Sequence, residues 1–238
     1  MTVGISYLGR AVIFNDSVLD YRWYDAIGPE VNKVIEEFVR FPLLAAGYGQ
    51  AYTTTPTGAG TVTLVPDGAA LGGRMIITNA AANDDSIEMQ ALGSCFLPTA
   101  NNKIYFGIKF QISDATQSDF LVGLAIPDTT LIDGVDSDGI YFRKLDGVTA
   151  CTFVLEHATA ETETAALTVV AATDYILEFY WNGTNISFYV DGVLIGAPVL
   201  TNIPHALYMT PSIAFQNGEG VAKNMTIDWM RCIQVSIT

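Results

Sequence analysis

Residues 103–112, KIYFGIKFQI, alternate without a break: Ile104, Phe106, Ile108, Phe110 and Ile112 fall on one side and Tyr105, Lys109 and Gln111 on the other. A period of two sends successive side chains to opposite faces of a strand, so this segment is a strand with a buried face. The same period governs ILEFYWNGTNISFYVDGVLIG. Leu177, Phe179 and Trp181 share a face, with Ile176, Glu178 and Tyr180 opposite. After Asn182-Gly183, Ile186, Phe188 and Val190 line one face and Asn185, Ser187 and Tyr189 the other. Asn-Gly and Asp191-Gly192 tolerate the positive φ angles of tight hairpins, so the stretch is predicted to be a three-stranded antiparallel meander.

From about residue 61 onward the chain reads as strands throughout. SDFLVGLAI, GIYFRKL, CTFVLEH, ALTVV and YMTPSIAF are further candidates, separated by turn signals. In the last segment Ile227, Trp229, Ile233, Val235 and Ile237 are expected on one face, interrupted by Arg231. Many short strands with turns between them predict a sandwich or barrel. With 238 residues, half of them hydrophobic, the chain can bury one large β core.

Residues 1–48 read differently. YLGRAVIFNDSVLDYRWYD gives two short strands around an Asn15-Asp16-Ser17 turn. GPEVNKVIEEFVRFP carries Val31, Val34, Ile35, Phe38 and Val39 at helical spacing, after Pro29 and Glu30 and before Pro42. That pattern predicts one helix over 29–41 with a single apolar stripe. The stripe either caps the sandwich or docks a partner. Residues 49–60, small and glycine-rich, are expected to be a linker between this arm and a sandwich over 61–238.

Charge excludes some functions. Eleven basic and 25 acidic residues leave a net charge of −14, which a phosphate backbone repels, so nucleic acid is not an expected partner. Charged residues make up only 15%, a composition that suits a protein living in an assembly as well as an ordinary sandwich. Cys95, Cys151 and Cys232 have no metal spacing and read as buried free thiols, as in a reducing cytoplasm. The opening residues lack the pattern of a signal peptide, and no apolar run reaches the roughly 18 residues of a membrane span, so no membrane role is expected. Without a secretory signal, the N-x-[ST] triplets at Asn182, Asn185 and Asn224 are taken as chance.

The order of strand, WNG turn, SFYVDG strand, LIG strand, proline-bearing loop and closing TIDWMRCIQV strand resembles the concanavalin-A-like or laminin-G-like jelly roll over roughly residues 61–238. That fold hosts lectins, glycan hydrolases, adhesive modules and viral structural proteins, so it does not name a function. The run from Asp138 to Gly147, DGIYFRKLDG, and the QNGE turn at 216–219 followed by Ala222-Lys223, are similar to jelly-roll virion proteins of tailed bacteriophages. The resemblance implies a non-enzymatic virion protein, made in the host cytoplasm and carried on the capsid surface. An N-terminal arm would then grip the major capsid protein or another virion protein, and the chain would self-associate, with a trimer as the expectation.

Catalytic chemistry finds little support. Glycan hydrolases resembling laminarinases set two Glu and an Asp on one strand, on one face of the cleft. Here Asp85 and Glu88 fall on opposite faces, and Glu161 and Glu163 share a face without a third carboxylate; both pairs are expected in solvated loops. There is no G-x-S-x-G, and His157 and His205 are expected at the surface or half-buried. Asp133, Asp136 and Asp138, around Gly134 and Gly139, could supply oxygen ligands to calcium, or simply make the turn before the next strand. No other cofactor is expected. Two alternative functions are carried forward. One is a glycan-binding module for host attachment, for which Trp181, Tyr180 and Tyr208 are the candidate aromatics. The other is a glycan hydrolase relying on Glu88 or Glu163.

Overall fold

The computed structural model describes residues 2–39, 51–66, 72–132 and 138–237. Among these residues every regular element is a strand. In chain order they are β1 Val3–Leu8, β2 Ala11–Asp16, β3 Trp23–Ile27, β4 Val31–Glu36, β5 Tyr52–Thr57, β6 Gly60–Pro66, β7 Gly73–Asn79, β8 Ser86–Ala91 and β9 Asn102–Ile112. Then come β10 Ser118–Ala125, β11 Gly139–Lys144, β12 Ala150–His157, β13 Ala160–Thr168, β14 Tyr175–Trp181, β15 Ile186–Val190, β16 Val193–Gly196, β17 Thr210–Asn217 and β18 Asn224–Ser236.

Two antiparallel sheets form the sandwich. One runs β13-β12-β11-β10-β17-β8-β5, and the other β16-β15-β14-β9-β18-β7-β6, with β4 also paired to β18. The predicted alternation is realised: Ile104, Phe106, Ile108 and Phe110 of β9 point into the space between the sheets, with Leu177, Phe179, Trp181, Ile186 and Phe188. The opposite sheet answers with Phe120, Val122, Phe142, Phe153 and Phe215. Aromatic rings interlock there, Phe153 stacking on Phe188 at 4.7 Å and Phe110 meeting Phe120 edge-on at 5.1 Å.

The helix expected over 29–41 is not found. Val31–Glu36 is instead strand β4, antiparallel to the C-terminal half of β18 with Val34 opposite Cys232 and Ile35 opposite Arg231. The β-branched residues Val31, Val34 and Ile35 suit an extended backbone, and β18 offers an open edge beyond its short pairing with β7 at 224–227. The apolar stripe is therefore split between two faces. Val34 and Phe38 join the sandwich core, whereas Val31 and Ile35 point outward. Phe38 has a positive φ of 46°, and Val39 is exposed. Arg40 and Phe41 lie outside the described residues. Part of the segment expected as a linker also forms a strand: β5 pairs with β8 at the edge of the first sheet.

A β-bulge corrects the expected phase of β18. The pairing with β9 shifts between Ile227 and Trp229, leaving Asp228 as the extra residue. Ile227 thus faces the core with Met230 and Cys232, while Ile233 and Val235 face out.

Those outward residues are covered by a third sheet, β1-β2-β3. Ala11, Ile13, Trp23 and Ala26 pack on Tyr105, Ile233 and Val235, with Tyr180 and Tyr189 at the margin. At the centre of this interface Glu178 is fully buried. Its carboxylate accepts from the Arg22 guanidinium through Nε and Nη2, from Tyr105 Oη at 2.9 Å and from Tyr21 Oη at 3.3 Å. Gly107 lies beside Glu178 in the register, and a Cβ there would collide with the Tyr105 hydroxyl. Burial and the neighbouring carboxylate push the Tyr105 phenol well above its usual range, so it remains a donor.

Removing one partner of a buried ion pair strands the other charge. Glu178→Ala is expected to cost about 3–5 kcal/mol in urea unfolding, and the double replacement Arg22→Met/Glu178→Leu distinctly less than Glu178→Ala. A negligible loss in Glu178→Ala would show that the apolar contacts alone hold the third sheet in place.

Candidate functional site

The outward face of the β13–β5 sheet carries Glu88, Glu161 and Glu163. It is closed by the chain itself. Leu121, Ala125, Tyr141, Val154 and Ala214 form an apolar floor, and Leu131 and Ile132 from the loop after β10 pack on it. Polar side chains staple the loop down. Glu88 accepts from the Leu131 N–H at 3.0 Å through both oxygens. The Gln90 amide donates to the Ile126 carbonyl at 2.9 Å and accepts from the Asp128 N–H at 2.8 Å. Glu88 is thus a buried loop anchor on β8 rather than part of a solvated loop, because Ser86–Ala91 is buried along its whole length.

Of the remaining carboxylates of this face, Glu156, Glu161 and Glu163 gather at one edge around Arg143, with Glu156 directly opposite Glu161 in the register, while Asp119 stands apart from them. Asp119 accepts from the Asp146 N–H at 2.6 Å. Glu156 accepts from Tyr141 Oη, and burial raises its carboxyl above the usual range. Glu161 and Glu163 are on β13, an edge strand rather than the expected loop, and both bind Arg143, at 2.6 Å in the case of Glu161. Glu88 and Glu163 are five strands apart, about 24 Å at normal strand spacing. Paired glycosidase carboxyls stand roughly 5–9.5 Å apart. The two carboxylates singled out for hydrolysis, Glu88 and Glu163, therefore each carry a structural bond and are not brought together.

The other sequence candidates scatter. Asp133 and Asp136 lie outside the described residues. Asp138 accepts from the Ala158 N–H and sits 3.5 Å from His157 Nδ1. Among the described residues no three His, Cys, Asp or Glu side chains are grouped to hold a metal. Trp181 is buried and donates to the Thr99 carbonyl at 2.9 Å, and Tyr180 packs edge-on against Trp23 at 5.4 Å. Tyr208 is exposed at 59%. His205 is exposed, with Nδ1 3.0 Å from the Pro98 carbonyl. Cys151 and Cys232 are buried free thiols, and Cys95 is half-buried.

Two features of the N-terminal layer went unrecognised in the sequence. The first is its outer face. The pairing places Tyr7, Val12 and Ile27 side by side, and Ile5 beside Phe14. Val3, Ile5, Tyr7 and Ile27 are 56, 61, 78 and 58% exposed, so the third sheet covers the sandwich with one face and offers an apolar face to the outside. The signal was the alternation of Val3, Ile5 and Tyr7 ahead of the first turn.

The second feature is a groove of about 480 Å³ beside that face, lined by Val3, Phe14, Arg22, Tyr24, Ile176, Trp229 and Arg231. The Arg231 guanidinium lies 4.6 Å from the Trp229 ring centre and 5.5 Å from that of Tyr24. Its Nη2 binds Glu37, and its Nε is buried without a partner. Tyr24 donates to Asp16 at 2.6 Å; burial and that carboxylate push the phenol up to about 12. Lys109, opposite Trp229, binds Asp228 at 2.6 Å. The Arg231 guanidinium thus covers one face of each ring, and the groove brings aromatic, cationic and carboxylate groups together, a set that can contact the C–H faces and hydroxyls of a sugar. The break that Arg231 makes in an otherwise apolar alternation was the sequence signal.

No protein-family model matches the chain. No curated protein matches it significantly. Solved structures do match. A protein of unknown function, SO2946 from Shewanella oneidensis MR-1, is 15% identical with a TM-score of 0.59, covering 87% of this chain and 88% of its own. A Bacillus licheniformis β-glucanase is 16% identical with a TM-score of 0.59, covering 84% and 96%. A conserved carbohydrate esterase, vb_24B_21 of the Shiga toxin-encoding bacteriophage phi24B, is 14% identical with a TM-score of 0.52, covering 85% and 100%. At these identities the likeness is one of fold: this chain is a concanavalin-A-like jelly-roll sandwich.

If Glu88 is the loop anchor, Glu88→Ala frees the Leu131 N–H. Amide exchange at Leu131 is expected to rise by about an order of magnitude, the effect of losing roughly 1–3 kcal/mol of a charge-assisted hydrogen bond, while β9 and β14 amides keep their protection. Unchanged exchange at Leu131 would mean that Gln90 and the apolar floor suffice.

Proposed function

We propose that the protein is a non-enzymatic structural component of a phage particle, a capsid-decoration protein attached through its N-terminal layer. The observation that carries this reading is the outer face of β1–β3, where Val3, Ile5, Tyr7 and Ile27 are more than half exposed. A large apolar sheet face on a chain of net charge −14 calls for a protein surface to cover it. The attachment surface is thus a folded layer rigidly fixed to the sandwich by Glu178 and Arg22, in place of a flexible arm bearing a helix. Self-closure of the opposite sheet by Leu131 and Ile132 supports a role without catalysis. The bacteriophage esterase of similar fold is consistent with such a scaffold occurring in phage. On this reading the protein is made in the host cytoplasm and resides on the virion surface, with the major capsid protein or another virion protein as its partner.

The test is sedimentation of source lysate on a density gradient, followed by rebinding of purified chain to particles stripped of it. Wild-type protein is expected with the particles at a fixed, high copy number. Val12→Glu/Ile27→Glu, which puts charge on the outer face, is expected to stay folded and lose at least tenfold in binding. Recovery of the native chain only in the soluble fraction would end this reading.

The groove favours a second reading, a glycan-binding module for host attachment, because it gathers Trp229 and Tyr24, stacked with Arg231, near Asp16 and Asp228. The β-glucanase and the carbohydrate esterase of like fold lend it support. Trp229→Ala is expected to weaken binding to host-surface polysaccharide by about tenfold, in line with the loss of 1–1.5 kcal/mol of stacking. Equal retention of wild type and variant on the polysaccharide would exclude the groove.

A further inference from the structure

In the third sheet β1 is an edge strand, and among the described residues it pairs only with β2. Edge strands of soluble proteins are normally guarded by charge, proline or a bulge. Residues 2–9, TVGISYLG, contain no Lys, Arg, Asp, Glu or Pro, and the pairing with β2 runs through Val3–Leu8 without a shift. The strand is thus the one stretch of this sheet that a strongly acidic chain could lay against its own copy without bringing like charges together.

The backbone directions can be read from the hairpin. The Thr2 carbonyl accepts from the Ser17 N–H at 3.0 Å, so the backbone groups of Thr2 point toward β2. In an antiparallel pair these directions alternate, so those of Gly4, Ser6 and Leu8 also face β2, while the N–H and C=O of Val3, Ile5 and Tyr7 face the open edge. The side chains of the same three residues form the exposed apolar row.

We propose that β1 pairs with β1 of a second copy of this chain, antiparallel, about a two-fold axis through Ile5. Two conditions select this register. Residues directly opposite must share a face, which requires their numbers to sum to an even value. Every outward backbone group must also find a partner, and only the sum of 10 uses all three residues on both chains. Ile5 then faces Ile5 of the copy, Val3 faces Tyr7 and Tyr7 faces Val3. The result is a continuous six-stranded sheet with an unbroken apolar row across the joint. Two-fold closure leaves no β1 edge free to propagate. This gives a dimer where the sequence resemblance suggested a trimer. The pairing uses the edge of the layer rather than its outer face, and stands or falls independently of particle attachment.

The experiment uses the purified full-length chain without particles. In sedimentation velocity over a dilution series, wild type is expected to be dimeric at the highest concentrations and Ile5→Lys monomeric throughout, with the melting temperature of wild type diluted to the monomer. Under mild oxidation Ile5→Cys is expected to form a disulfide dimer, because a facing hydrogen-bonded pair has Cα atoms about 5.5 Å apart, within disulfide range. Tyr7→Cys is not expected to, since the two Tyr7 positions would be about 14 Å apart. Wild type sedimenting as a monomer at all concentrations, or Tyr7→Cys cross-linking as readily as Ile5→Cys, would overturn the proposal.

Discussion

Everything in the N-terminal layer depends on one buried carboxylate. Glu178 sits on the outward side of β14, in a sheet whose other side is the sandwich core. A fully desolvated carboxylate is tolerable only with its lone pairs filled, and Arg22, Tyr105 and Tyr21 fill them. Arg22 and Tyr21 come from the turn into β3, so the charge both demands the third sheet and fixes where it sits. The surrounding contacts of Trp23, Ile13, Ile233 and Val235 supply apolar burial, which has no preferred direction; the ion pair gives them one.

The consequence is a molecule with each sheet of the sandwich covered on its far side by different means. On one side a loop lays Leu131 and Ile132 over an apolar floor and is held by Glu88 and Gln90. On the other a separate sheet is laid on and leaves its own outer face apolar. The first arrangement ends at the chain itself. The second passes the need for cover outward, to whatever meets Val3, Ile5, Tyr7 and Ile27. That asymmetry leaves one side of the molecule self-contained and the other open to contact.

The sandwich was legible because its strands obey a strict period of two. Residues 103–112 and 175–190 face as their alternation dictates, and the turns at Asn182-Gly183 and Asp191-Gly192 fall where they were expected. Three features defeated pattern reading. Val31, Val34, Ile35 and Phe38 match a helical stripe, yet a strand with both faces covered satisfies the same residues, and only the edge of β18 decides between the two. The bulge at Asp228 reversed the phase of β18 midway, which no local residue announces. Glu88 and Glu163 were read from spacing along the chain, whereas their partners, Leu131 and Arg143, lie on other elements. The groove was half visible, since Arg231 breaks an apolar run, but Tyr24 reaches it from more than two hundred residues away in sequence.

The position of β18 also sets an order of assembly. It is the last strand in the chain, and it pairs with β4, β7 and β9 at once. Among the described strands β4 has no ladder partner other than β18, so it cannot join a sheet until β18 is made. The β1–β3 hairpins likewise have no Ile233 or Val235 to settle on. Until Ile233 and Val235 are in place the layer lacks part of its apolar bed, so the uncharged β1 stays exposed to other folding chains over that interval.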